Sequence, residues 1–164
     1  MNPTYLIALG SNKRHQSEGS PRLVIAAALE ALAEQGVVIR AASRVIETAP
    51  LGPSARRYAN AAALVETRRE PEEMLVLVKD MERSFGRRSG GQRWGARVLD
   101  VDLVLWSGGI WRSRGLEIPH PQFRKRGFVL GPARKIAGGW RDPISGLTVA
   151  QLHARLTRPR PIPR

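Results

Sequence analysis

Between Arg97 and Trp106 the sequence reads RVLDVDLVLW, a β-strand pattern that nevertheless carries two aspartates, Asp100 and Asp102. Alternate side chains of a strand point to opposite faces, so residues i and i+2 share a face about 6.6 Å apart. Leu99, Val101, Leu103 and Leu105 then make one face, expected to meet the core. Val98, Asp100, Asp102, Val104 and Trp106 make the other, with two carboxylates side by side in an apolar frame. Like charges so placed repel each other unless protons, basic groups or a metal neutralise them. A solvated outer face of an edge strand would accommodate them too, so the neighbouring segments must decide. An arginine-rich loop, GRRSGGQRWGA (Gly86–Ala96), precedes the strand, and IPHPQFRKRGF, from Ile118, follows it. Carboxylates between two basic segments suit metal-assisted phosphoryl transfer. Mg²⁺ takes one or two carboxylates plus phosphate oxygens and water, and two such ions can clamp an in-line displacement. Arg87, Arg88, Arg93 and Arg97 could offset charge on the transferring group, since this chemistry is largely positioning and electrostatics. Neither GxxxxGK[ST] nor GxGxxG is present, which excludes nucleotide binding by those two routes.

The elements that must position these residues alternate along the chain. Tyr5–Leu9 reads as a strand ending in a Gly10-Ser11-Asn12 turn. Ser20 as N-cap, Pro21 at the first helical position and Gly36 beyond the end delimit a helix over Pro21–Gln35. Val37–Glu47 reads as a second strand, and Ala49-Pro50-Leu51-Gly52-Pro53 as a loop. Tyr58–Thr67 follows as a third strand. Pro71–Phe85 places Met74, Leu75, Val78, Met81 and Phe85 at helical spacing, with Glu72 and Glu73 in its first turn. With the aspartate strand the order is β-α-β-β-α-β. That order predicts an α+β, ferredoxin-like antiparallel sheet with helices packed on one face, plus a C-terminal extension. The extension holds a Gly108-Gly109 turn, the segment Leu116–Pro132, and a last helix from about Thr148, where Thr148 and Gln151 suit a capping box. Residues 1–157 are expected to form one domain, and the tail RPRPIPR (158–164) to be disordered.

Composition bounds the setting. A chain of 164 residues, 42% hydrophobic, can bury a real core. No apolar run approaches the ~20 residues of a membrane helix, and no signal-peptide pattern opens the chain. The absence of cysteine excludes disulfides and thiolate metal sites and suits a reducing cytoplasm. The balance of 27 basic against 14 acidic residues, net +13, points to anionic partners, nucleic acid or small multiphosphates.

Several segments together resemble the 6-hydroxymethyl-7,8-dihydropterin pyrophosphokinase family over most of the chain. They are YLIALGSN (Tyr5–Asn12), ETAPLGP (Glu47–Pro53), YANAAALVET (Tyr58–Thr67), RWGARVLDVDLVLW (Arg93–Trp106) and IPHPQFRKRGFVLGP (Ile118–Pro132). The resemblance implies pyrophosphoryl transfer from ATP to a pterin alcohol in folate biosynthesis, with two Mg²⁺ held by Asp100 and Asp102. It implies a pterin pocket from the backbone around Thr48 and Leu51, Tyr58 and Phe128 stacking on the ring, Asn60 bonding its edge and Trp94 closing over it. Arg87 and Arg97 match catalytic arginines of a mobile loop. Lys79, Glu82, Arg97, His120 and Arg126 fall at the nucleotide site. Lys79 stands where many relatives carry glutamine, Ser89 where many carry a second loop arginine, and Ala49 and Ala96 replace common prolines. His15 and His153 match nothing and read as surface residues. The implied protein is a cytoplasmic monomer whose partners are ATP and the pterin alcohol, without nucleic acid or membrane.

Two alternatives come from other classes. A ferredoxin-like nucleic-acid-binding module would suit the charge, but its sheet would present stacked aromatics in an RGFGFVxF-like motif. This chain has four Trp, two Tyr and three Phe, and Arg126–Val129 lies outside the main strand pattern. An inactive relative is disfavoured by the intact Asp100, Asp102, Arg97 and His120.

Overall fold

The computed structural model describes residues 2–12, 19–48, 58–86 and 98–163. Strand β1 (Thr4–Ser11) is central and almost wholly buried. Helix α1 (Pro21–Glu34) begins where the Ser20 hydroxyl accepts the Leu23 N–H and Pro21 occupies the first turn. It ends at Gly36, whose φ of +81° only glycine adopts readily. Strands β2 (Val38–Ala42), β3 (Ile46–Thr48) and β4 (Tyr58–Glu66) lead to α2 (Pro71–Gly86) and β5 (Asp100–Trp106). The main sheet runs β2-β4-β1-β5, with β3 also on β4, and every pairing is antiparallel. The short hairpin β6 (Trp111–Ser113) and β7 (Leu116–Ile118) follows, then α3 (Gly127–Ala137) and α4 (Val149–Thr157). Thr148 and Gln151 form the expected capping box on α4.

Helices cover both faces of this sheet. Val24, Ile25, Ala28 and Leu32 of α1 and Met74, Val78 and Met81 of α2 meet Tyr5, Ile7 and Leu9 on one face. Val129, Leu130 and Ala133 of α3 and Val149 and Leu152 of α4 meet Leu6, Ala8 and Ala62 on the other. The expected one-sided packing therefore holds for α1 and α2, and the C-terminal extension supplies the opposite layer.

Four other expectations are corrected. β1 continues through Gly10 and Ser11, which pair with Asn60 and Ala59 instead of turning. Val37–Glu47 is not one strand. Its register against β4 slips between Ile39 and Ala41, and the chain then leaves the ladder after Ala42. There the Ser43 hydroxyl accepts the Ala62 N–H at 2.9 Å, substituting for a backbone carbonyl before β3 resumes the pairing. In β5, Leu103 pairs with Ile7 but Leu105 with Leu6, so Val104 is an extra, bulged residue. That bulge turns Leu105 to the α3 and α4 face beside Val104, and turns Trp106 to the other face, where it meets Trp111 edge-on at 5.7 Å. Lastly, α3 forms inside a segment with no helical expectation.

One polar group staples the C-terminal layer. Asp142, 0% exposed, follows α3 and accepts two hydrogen bonds from the Arg124 guanidinium, one from the Ile144 N–H and one from the Ser145 hydroxyl. Burial alone would push its carboxyl up, but the Arg124, Ser145 and Ile144 hydrogen bonds prevail and bring it from 3.8 down to about 2. A folded-state pKa below the unfolded value gives stability that is present above the unfolded pKa and lost as pH falls through the folded one. Urea unfolding between about pH 5 and pH 2 should show a loss of about 2 kcal/mol that Asp142→Asn lacks. At neutral pH, Asp142→Ala should cost about 3 kcal/mol by leaving Arg124 without its partner.

Candidate active site

The floor of the site is a row across three strands. Gly10 on β1 pairs with Asn60 of β4 on one side and Asp100 of β5 on the other. Two residues along, Ala8 lies between Ala62 and Asp102. All of these share the face that α3 and α4 cover further down the sheet. Because Gly10 has no side chain, the Asn60 amide oxygen can lie over it, with Asp100 on the strand beyond. A methyl at Gly10 would lie 3.2 Å from Asn60 Oδ1, closer than ordinary contact allows. A glycine inside a strand signals such a close approach, although the GSN context disguises it as a turn. β3 widens the row: Ile46 pairs with Asn60, and Thr48 with Tyr58. Tyr58 (47% exposed) and, from α3, Phe128 (48% exposed) leave aromatic surface open to solvent. A flat ring would find such surface useful.

Basic groups gather around Asp102. His120 Nε2 lies 3.9 Å from Asp102 Oδ1, and Arg126 Nη1 lies 3.7 Å from Oδ2. Both lie beyond hydrogen-bond reach. Burial, then the neighbouring Asp100 charge, pushes the Asp102 carboxyl up, against His120, Arg126 and Lys79. Burial pushes the His120 imidazole down, against the Asp102 charge. The bulge in β5 explains where His120 stands, because the Val104 carbonyl accepts the His120 N–H at 3.0 Å. The Gln122 N–H donates to His120 Nδ1 at 3.1 Å. The neutral ring therefore carries its proton on Nε2, the nitrogen that faces Asp102. Arg126 caps α3, and its guanidinium lies 5.7 Å from the centre of the Phe128 ring.

Lys79 and Glu82 approach from α2. Glu82 accepts the Val101 N–H at 2.9 Å through Oε1 and a bond from Lys79 Nζ at 3.0 Å through Oε2. Burial pushes the Glu82 carboxyl up, opposed by the Val101 and Lys79 bonds. Of the residues expected at the site, Asp100, Asp102, Asn60, His120 and Arg126 thus converge, Thr48, Tyr58 and Phe128 hold the rim, and Lys79 and Glu82 stand at the open edge of β5. Leu51, Arg87, Trp94 and Arg97 lie outside the described residues, as do Ala49, Ser89 and Ala96. Gly10, and Gln122 as the partner of His120, are the participants that sequence reasoning missed.

Fold and site together define a class: an α+β protein with paired carboxylates and basic side chains at one end of an antiparallel sheet, beside exposed aromatic surface. Residues 6–138 match the 7,8-dihydro-6-hydroxymethylpterin-pyrophosphokinase (HPPK) family, and the chain belongs to it. A 2-amino-4-hydroxy-6-hydroxymethyldihydropteridine pyrophosphokinase of Methylorubrum extorquens is 34% identical over 158 residues, covering 95% of this chain and 94% of that one. Its namesake from Synechocystis is 35% identical over 117 residues, covering 71% of this chain and 60% of that one. A solved structure of Plasmodium falciparum HPPK-DHPS superposes with a TM-score of 0.64 at 12% identity, covering 94% of this chain and 43% of that one. This chain therefore spans less than two thirds of the length of the latter two relatives.

Two expectations follow from this geometry. An acid whose folded pKa is raised destabilises the fold increasingly as pH rises through that pKa. The cation-free protein should thus lose stability as Asp102 ionises. Asp100→Asn, by removing one cause of the upward shift, should raise the neutral-pH melting temperature by about 2 °C. The check is calorimetry in chelator. Gly10→Ala should displace the Asn60 amide. It should weaken binding of a flat heterocycle by about tenfold or more while leaving nucleotide affinity near wild type, as titration calorimetry with each ligand can show.

Proposed function

We propose that this chain transfers the pyrophosphoryl group of ATP to the hydroxymethyl oxygen of 6-hydroxymethyl-7,8-dihydropterin, a step of folate biosynthesis. The observation that carries this reading is the Asn60–Gly10–Asp100 row, which sets a ring-edge hydrogen-bonding group across one glycine from the paired carboxylates. The pterin lies over Gly10, its faces against Tyr58 and Phe128 and its edge on Asn60, with the backbone at Thr48 and Leu51 completing the pocket. The alcohol oxygen attacks the β-phosphorus of ATP. The bond from that phosphorus to the oxygen it shares with the α-phosphorus breaks, AMP leaves, and the diphosphate stays on the pterin.

His120 presents its Nε2 proton, and Arg126 its guanidinium, to phosphate oxygens on the Asp102 side. Lys79 adds positive charge at the edge of β5. Arg87 and Arg97 complete the phosphate contacts and Trp94 covers the ring. The donor set fits Mg²⁺. Asp100 and Asp102 offer the hard oxygen ligands that Mg²⁺ takes. Beside one or two carboxylates, Mg²⁺ ordinarily takes phosphate oxygens and water. Two Mg²⁺ ions on these aspartates would supply charge neutralisation for the triphosphate. The β2-β4-β1-β5 path with α1 and α2 on one face is read as ferredoxin-like, and the protein as a cytoplasmic monomer. No helix among the described residues is long and apolar enough to cross a membrane.

The test is incubation with ATP, Mg²⁺ and the pterin alcohol, followed by chromatography of the spent nucleotide. AMP is expected, and ADP as the main product would overturn the reading. Asp102→Ala should lower turnover by about 10³-fold or more, because the remaining carboxylate cannot replace its charge.

A further inference from the structure

Glu82 is held in a way that direct contact with a nucleotide does not require. β5 is the last strand of the sheet, so one edge of it faces no other strand. On its inner edge, Val101 pairs with Leu9 of β1. On its outer edge the Val101 N–H is taken by Glu82 Oε1 at 2.9 Å, while Lys79 Nζ holds Oε2 at 3.0 Å. The Glu82 side chain is only 14% exposed, so both bonds form in a confined space where a charge-assisted hydrogen bond is strong. Val101 is the residue between Asp100 and Asp102, and Asp100 is the first residue of the strand. Two carboxylates that repel each other on a strand end would relax by twisting the peptide between them. That peptide is the one Glu82 grips.

We infer that Glu82, backed by Lys79, is a positioning residue that fixes the Val101 peptide so that Asp100 and Asp102 stay side by side as a cation site. The inference rests on the metal reading proposed above. Glu82 acts through the backbone, without touching the metal. A third carboxylate close to Asp100 is electrostatically costly, and Lys79 offsets that cost by holding the oxygen that the strand does not use. A glutamine at position 82 would keep the acceptor for Val101 and lose the charge, whereas an alanine would lose both.

The experiment compares wild type, Glu82→Gln and Glu82→Ala by two measurements. Mn²⁺ is titrated into protein with α,β-methylene-ATP and bound metal is read by water-proton relaxation. Hydrogen exchange is followed at the Val101 amide. Glu82→Ala should weaken Mn²⁺ binding by about tenfold or more and speed exchange at Val101, while Glu82→Gln should stay within about threefold of wild type. A merely structural role would alter exchange without altering Mn²⁺ affinity. Wild-type Mn²⁺ affinity in folded Glu82→Ala would overturn the inference and leave the metal reading standing, and so would equal weakening in both variants. Failure of the wild type itself to bind Mn²⁺ with the analogue would overturn the metal reading, and the inference with it.

Discussion

Asp100 and Asp102 stand on one face of β5 because the β1–β5 ladder pairs them with Gly10 and Ala8. The rest of the site is arranged to tolerate or exploit that juxtaposition. Among the described residues, the charge of Asp102 is offset by Arg126 and the His120 imidazole across the face of the sheet and by Lys79 from α2. None of the three cancels it. The two groups nearest Asp102 stop short of hydrogen-bonding distance, so negative charge remains available to a cation. A pair fully neutralised by arginine would be a structural salt bridge, like Arg124–Asp142. Asp102 and Asp142 thus show two uses of a carboxylate within one layer of the fold. In one the basic groups are held at a distance. In the other they make direct hydrogen bonds.

How much of this was legible in the sequence depended on whether local chemistry agreed with the fold. Ser20-Pro21 and the Thr148–Gln151 box mark helix starts by capping, and both helices begin there. The period-two spacing of the aspartates is a backbone property and held. Helix α3 was invisible because Gly127, Gly131 and Pro132 all disfavour a helix, proline in an interior turn by about 3 kcal/mol. Burial of Val129, Leu130, Pro132 and Ala133 against the sheet overrides them. Bulges leave no such local trace. The one at Val104 follows from fitting β5 to β1 with both faces buried, and it reversed the facing of Leu105 and Trp106. The alanines of β4 also disguise its role. Poor strand formers in isolation, Ala59, Ala61, Ala62 and Ala63 lie inside a sheet with helices on both sides.

The bulge does more than adjust packing. It directs the Val104 carbonyl outward, where it accepts the His120 N–H. From there a chain of backbone bonds runs on, Phe123 N–H to the His120 carbonyl and Arg126 N–H to the Phe123 carbonyl, until Arg126 opens α3. Phe123 is buried along the way and carries the Arg124 guanidinium over its ring at 4.7 Å. His120, Arg126 and Phe128 are therefore indexed to the same strand that carries the aspartates. An error in the facing of Leu105 is, physically, the same event that places the histidine.

The charge distribution follows the same layering. Seven of the 27 basic residues and one of the 14 acidic residues lie between Arg124 and Thr157, the stretch that carries α3 and α4. The single acid, Asp142, is committed to Arg124. Among the described residues, Arg134 and Lys135 of α3 and Arg155 of α4 make no ion pair. Arg134 and Lys135 also help burial lower the neighbouring His153. A surplus placed there puts positive potential on the side of the sheet where Asp100 and Asp102 open. Such a field raises the local concentration of a polyanion before any contact forms. In the proposed reaction that polyanion is the nucleotide triphosphate. The two carboxylates would otherwise repel it. Net charge, which alone named only a class of partner, acquires a direction once α3 and α4 are seen to roof the aspartate face.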